Sequence, residues 1–179
     1  MIAREFTLND GRVLVVREAE SGDASAVLTY VEQVSGQSDF LSFGPGDLEL
    51  TEPEEQEFLG KYRAADNQLY ILGIIDDRIV STLNFAGGRR PRFRHAGELG
   101  MSVHEQFWGR GIGSFMVDAL LDWAKQTHIV TKINLRVRTD NQRAIELYER
   151  KGFVKEGTIR KEFFMQGRYY DDYWMGLEL

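Results

Sequence analysis

At 179 residues, with 42% hydrophobic and 28% charged side chains, residues 1–179 have the length and composition of a single soluble domain with a large shared core. A net charge of −6 argues against a nucleic-acid-binding surface, no apolar run is long enough to span a membrane, and the mixed opening Met1-Ile-Ala-Arg-Glu-Phe6 is unlike a signal segment. The absence of cysteine excludes disulfides and any cysteine-acyl intermediate and fits a cytoplasmic setting, while His95, His104 and His128 show no ligand spacing and give no case for a metal.

In chain order, Val13-Leu-Val-Val16 within 12–18 predicts a first strand. Asp23 can cap a helix through Val34, with Ala24, Val27, Leu28 and Val31 on one face. Residues 36–50, with Gly44-Pro-Gly46, read as an irregular loop. Thr51-Glu-Pro-Glu54 has the form of a capping box with proline in the first turn, opening a helix to about Ala64 that buries Phe58, Leu59 and Tyr62. Strands over 69–75 and 79–85 flank an Asp76-Asp77 turn. A basic loop, with Arg89, Arg90, Arg92 and Arg94, precedes the next strand.

From Glu98 the period carries information. Leu99, Met101 and Val103 alternate as in a strand; Ile112, Phe115, Met116, Ala119, Leu120 and Trp123 recur at helical spacing to about Thr127. Between them lies Trp108-Gly109-Arg110-Gly111-Ile112-Gly113-Ser114. First-turn amides of a helix have no intrahelical acceptor, and glycines let a bulky anion approach them, so this turn favours a diphosphate, with Arg110 as an added positive charge. A dinucleotide fingerprint fails in both registers, since Ser114 or Met116 falls where the last glycine belongs. Gly60-Lys61-Tyr62 is not a P-loop end, and Trp108 stands where a zinc helix starting at His104 needs histidine. A tight strand-to-helix turn with no ligand is the simpler alternative. Further on, 132–138 alternates as a strand, Thr139 or Asp140 can cap a helix over 141–151 that Gly152 ends, and 153–164 and 168–177 form two closing strands around Gln166-Gly167.

The turn at 108–114, together with Asn141-Gln-Arg-Ala144-Ile-Glu-Leu-Tyr148-Glu-Arg-Lys-Gly152-Phe153, resembles the GCN5-related N-acetyltransferases over nearly the whole chain. Trp108 replaces the polar residue that often opens the family's pyrophosphate loop, and this, with Gly167-Arg-Tyr169-Tyr-Asp171 and Met175, resembles the ribosomal-protein N-terminal and polyamine acetyltransferase branch. The resemblance implies an α/β (α+β) fold: a mixed, mostly antiparallel sheet of six to seven strands, with a parallel pair ending near Val103 and Arg138 that splays apart, and about four helices. It implies acetyl-CoA as co-substrate, an amine or peptide N-terminus as acceptor, and direct transfer in a ternary complex. A homodimer is left open, and a non-catalytic acyl-CoA sensor is the alternative.

The resemblance also distributes roles. Met101, Ser102 and Val103 would offer main-chain groups to the pantetheine arm, and residues 108–114 would hold the pyrophosphate. Asn141 and Ala144 at the head of the next helix would complete the carrier site, although Asn141 also reads as a plain helix start. Tyr148, two turns beyond Asn141, would protonate the departing thiolate; it could equally pack with Ile145. Glu98 is the candidate general base, or else a surface glutamate paired with an arginine of the preceding loop. Tyr169, Asp171 and Tyr173 share a strand face that lines the acceptor pocket or fills core. The acids Glu49, Glu52, Glu54, Glu55 and Glu57 could attract a polyamine, but such runs more often form a solvated helix face.

Overall fold

The computed structural model describes residues 3–179. Its strands are β1 (Ala3–Thr7), β2 (Val13–Glu18), β3 (Gln68–Ile75), β4 (Arg78–Gly87), β5 (Ala96–Val103), β6 (Lys132–Arg138), β7 (Val154–Met165) and β8 (Arg168–Glu178). Four α-helices accompany them: α1 (Ala24–Ser35), α2 (Glu52–Ala64), α3 (Ile112–Thr127) and α4 (Gln142–Arg150). All eight strands form one sheet in the order β1-β2-β3-β4-β5-β6-β8-β7. Every neighbouring pair is antiparallel except β5 and β6. The expected mixed sheet with four helices is therefore present, with one strand more than anticipated. That strand is β1, whose alternation of Arg4 and Glu5 with Phe6 carries little apolar signal; its pairing of Ala3 with Arg17 through Thr7 with Val13 is what makes it a strand.

One face of the sheet carries α3 and α4. Leu83, Phe85, Leu99, Ile133 and Leu135 pack there with Ile112, Met116, Leu120 and Ile145. The other face carries α1 and α2, where Tyr70 and Leu72 meet Ala24, Val27 and Leu59. The hairpin turns follow from their residues. Asp76-Asp77 and Gln166-Gly167 both take positive φ at two successive positions, the twist that matches flanking strands. Gly152 ends α4 at φ +92: its N–H donates to Glu149 O, and Phe153 N–H reaches back to Tyr148 O, each at 3.0 Å. This closes the helix C-terminus on its own carbonyls.

Two helix starts differ in outcome. Thr51 and Glu54 form the anticipated capping box, with Thr51 N–H donating to Glu54 Oε2 at 2.9 Å. Asp23 does not cap α1. Its carboxylate instead accepts Glu20 N–H at 2.8 Å and both Nη groups of Arg17 at 2.7 Å, so it closes a short 3₁₀ turn and ties that turn to β2. A bidentate arginine outcompetes a helix amide for the same oxygens.

Candidate active site

The parallel pair β5–β6 is joined only from Ala96↔Lys132 to Glu98↔Asn134. Beyond Glu98 the strands separate, as expected, and a cleft opens. His104 N–H donates to Val80 O, and Thr82 opposes Ser102 in the same register. In an antiparallel ladder alternate residues turn both main-chain groups to the partner, so the even-numbered residues of β5 face β4. The odd-numbered ones, Leu99, Met101 and Val103, direct theirs into the cleft. Ser102 is thus corrected as a main-chain ligand: its carbonyl faces β4 and also accepts Ser81 Oγ at 2.7 Å. Its side chain serves instead as a joint, with Oγ 2.9 Å from Tyr30 Oη and 3.1 Å from Thr82 Oγ1. Val103 O is capped by the Trp108 indole N–H at 2.7 Å, which leaves the amides of Met101 and Val103 as the cleft's donors.

The cleft runs to the start of α3. Gly109 and Gly111 take φ +79 and +81, and the first intrahelical bond is Phe115 N–H to Gly111 O at 3.2 Å. The amides of Ile112, Gly113 and Ser114 therefore have no acceptor within the helix. Gly113 lies close under Leu147 and Met101: a Cβ there would stand 3.1 Å from Leu147 Cδ2. The residues fit an extended carrier with a diphosphate, because a row of free amides leads from the strand edge to the helix end. Arg110 is the exception. Its guanidinium pairs with Asp10 from the β1–β2 turn and lies over the Phe107 ring, so it is neither mobile nor aimed into the cleft. The cations that do line the cavity near this turn are Arg143 and Arg150 of α4, with Arg143 stacked 5.3 Å from the Trp108 ring. They went unread in the sequence: Arg143 stands inside the Asn141 motif but two residues from Asn141, off its helix face, and only the tertiary contact with Trp108 marks it.

Across the cleft, α4 brings Asn141, Ala144 and Tyr148 to one cavity wall. Asn141 Oδ1 accepts Ala144 N–H at 3.3 Å, so the helix-start role is real and uses the side-chain oxygen. Tyr148 is 7% exposed, with its ring against Phe153, and burial pushes its hydroxyl up to about 12. Such a phenol keeps its proton throughout the neutral range.

Together these elements border a cavity of about 1150 Å³. Its second half lies on the α1–α2 side of the sheet. Glu98 is there, but its partner is Arg136 of β6, at 2.7 Å, rather than an arginine of the loop before it; Arg136 also holds Glu162 at 2.7 Å. Arg138 is buried. It grips Asp140 through Nε and Nη2, donates to Asp39 O at 2.7 Å, and lies 3.9 Å from the Tyr170 ring centre, which fastens the 36–50 loop over the cavity. Tyr169 points away, its ring tilted against Phe164 at the rim of β7–β8, and Asp171 accepts Lys161 N–H at 2.8 Å. Their neighbour Asp172 is the cavity residue. The bulges in β7 and the pairing of Asp172 with Arg138 put it on the same face as Arg136 and Arg138. Glu55 also enters the cavity, on the α2 face assigned to solvent from the sequence, while Phe58 stands half-exposed at the mouth. Among the described residues, no group of His, Asp or Glu side chains is arranged to hold a metal, and no helix is long and apolar enough to cross a membrane.

A split parallel pair thus feeds a glycine turn and a helix N-terminus, and the cleft between them is edged by main-chain amides. The chain belongs to the acetyltransferase (GNAT) family, whose model matches residues 37–153. It is similar to the L-amino acid N-acetyltransferase AaaT of Escherichia coli, 26% identical over 90% of this chain and 96% of that one. It is also similar to spermidine N(1)-acetyltransferase of Vibrio cholerae, 24% identical over 88% of each. A GNAT acetyltransferase from Streptococcus pneumoniae superposes with a TM-score of 0.90 at 32% identity, over 93% of this chain and 99% of that chain. The fold is shared too by YncA of Salmonella typhimurium, solved with acetyl-CoA, at TM-score 0.80 and 17% identity over 93% and 94% of the two chains.

Proposed function

We propose that this protein moves an acetyl group from acetyl-CoA directly to a primary amine or peptide N-terminus, with both substrates bound at once. The observation that carries this reading is the parting of β5 from β6 after Glu98, which points the amides of Met101 and Val103 toward the first turn of α3. Acetyl-CoA would supply an activated thioester carbonyl. One of the two β5 amides would donate to the carbonyl oxygen as it gains charge, and the amides of 112–114 would hold the diphosphate, with Arg143 and Arg150 nearby for further phosphate charge. The amine nitrogen bonds to the carbonyl carbon as the carbon–sulfur bond breaks. Tyr148, still protonated, gives its proton to the leaving sulfur. Glu98 takes the proton lost by the amine, directly or through water; Arg136 fixes its carboxylate but leaves its second oxygen to act. The two relatives' names, one an amino-acid and one a polyamine acetyltransferase, support an amine acceptor without choosing between them.

Initial rates of CoA release with both substrates varied test the reading. Intersecting double-reciprocal lines are expected, as a ternary complex requires. Tight CoA binding with no CoA release from any amine or peptide would instead establish a non-catalytic acyl-CoA sensor.

A further inference from the structure

The acceptor half of the cavity is out of electrostatic balance. Four carboxyl groups line it: Glu55, Glu98, Glu162 and Asp172. Against them stands one guanidinium, Arg136, shared by Glu98 and Glu162; Arg138 is already committed to Asp140 and to the carbonyl of Asp39. Glu55 and Asp172 remain. Glu55 is 4% exposed and Asp172 7%, and among the described residues neither side chain has a hydrogen-bonding or ion-pairing partner; Asp172 Oδ1 is fully enclosed without one. Burial raises both carboxyls above their ordinary range; at Asp172 the charge of Glu162 adds to the rise, and Arg136 and Arg138, committed to other acids, oppose it without forming an ion pair. Buried charge without a partner is costly, so two such groups in one ligand cavity mark positions where a ligand completes the pairing. The same cavity is also lined by the apolar side chains of Leu28, Val31, Phe40 and Phe58.

Resting on the acetyltransfer reading above, we propose that the acceptor is an alkyl diamine without a carboxylate: Glu55 and Asp172 balance its two ammonium groups, and its methylene chain lies on the apolar wall. One ammonium loses its proton and reacts, and the other stays charged and sets the position. A free amino acid fits poorly. Its carboxylate would meet four acids and no uncommitted cation.

The test compares three ligands with one five-carbon skeleton, pentylamine, 1,5-diaminopentane and lysine, titrated calorimetrically into the protein saturated with CoA. The diamine is expected to bind at least tenfold tighter than either of the others. Glu55→Gln and Asp172→Asn should each remove most of that advantage over pentylamine and melt no lower than the unsubstituted protein, since each deletes an unpaired buried charge. Pentylamine or lysine binding within threefold of the diamine would overturn the proposal. So would variants that keep the full preference, or variants that lose it only because they melt lower. Turnover is read separately: diamine binding without CoA release would sink the acetyltransfer reading and leave the seat standing, whereas release from lysine in preference to the diamine would do the reverse.

Discussion

In the proposed reaction Tyr148 and Glu98 have opposite tasks, one giving a proton and the other taking one. Tyr148 lies in a dry wall with its hydroxyl held protonated, as an acid must be. Tyr148→Phe should lower kcat by about 100-fold, the usual scale for losing a positioned proton donor, and leave CoA affinity within twofold by calorimetry. An unchanged kcat would remove its role. Glu98 is tied to Arg136 and shares it with Glu162. Glu98→Gln should depress kcat/KM for the amine by about 100-fold and leave CoA affinity within twofold. If kcat/KM is unchanged, the base is another group or bulk water. Motif spacing marks Tyr148 and the family resemblance marks Glu98; the alternative reading of Glu98, a surface pair with an arginine of the preceding loop, named the wrong arginine, since the partner is Arg136. Arg136 is far along the chain from Glu98 and meets it only because β5 and β6 run side by side.

At the level of elements, the turn into α3 does two jobs with one conformation. Gly111 is the residue before the helix and takes φ +81, which lets the next three amides face outward together. A Cβ at Gly111 would meet only Phe115 Cε2, at 3.6 Å, so crowding is not the obstacle. The cost of Gly111→Ala is the left-handed backbone, about 1–2 kcal/mol, and relief of that strain would turn the amides out of line. Lower stability in urea together with a raised KM for acetyl-CoA is the expected pair of results. Stability lost with KM unchanged would separate the turn from the carrier. The Tyr30–Ser102–Thr82 contacts work in the same way from the other face, holding β5 at the height where its free edge meets the cleft.

For the whole molecule, acids stand in two opposite environments, and this sets the response to pH. Arg17 draws the Asp23 carboxyl below its ordinary range, so that contribution is full above the unfolded-state value and fades as pH falls through the lowered folded one. Asp23→Asn should cost about 2 kcal/mol at neutral pH, and the difference from the parent should vanish in acid. Glu55 and Asp172 are raised, and the sign reverses. Folding favours their protonated forms, so the chain loses stability as pH climbs through their raised values. The doubly neutral variant Glu55→Gln/Asp172→Asn should melt above the parent at neutral pH, with the gap closing as pH falls. Thermal melts from acid to neutral pH check both signs; parallel curves would contradict the assignment.

The order of strands and helices, the capping box at Thr51, the glycine turn and the Asn141–Tyr148 helix face were all legible in the sequence. Each rests on contacts within a few residues or on a period of two or 3.6. What lay beyond it were pairings between distant segments. β1 gains its identity only from β2, Arg110 is turned aside by Asp10, and the main-chain groups of Ser102 are turned to β4 by its register. Glu55, one acid among several on α2, becomes a cavity residue only because that helix packs with one face over Tyr70 and Leu72. Local patterning determined which segments exist and where their polar groups fall; burial and charge compensation, which depend on what the folded chain sets side by side, decided which of those groups are already paired and which are not.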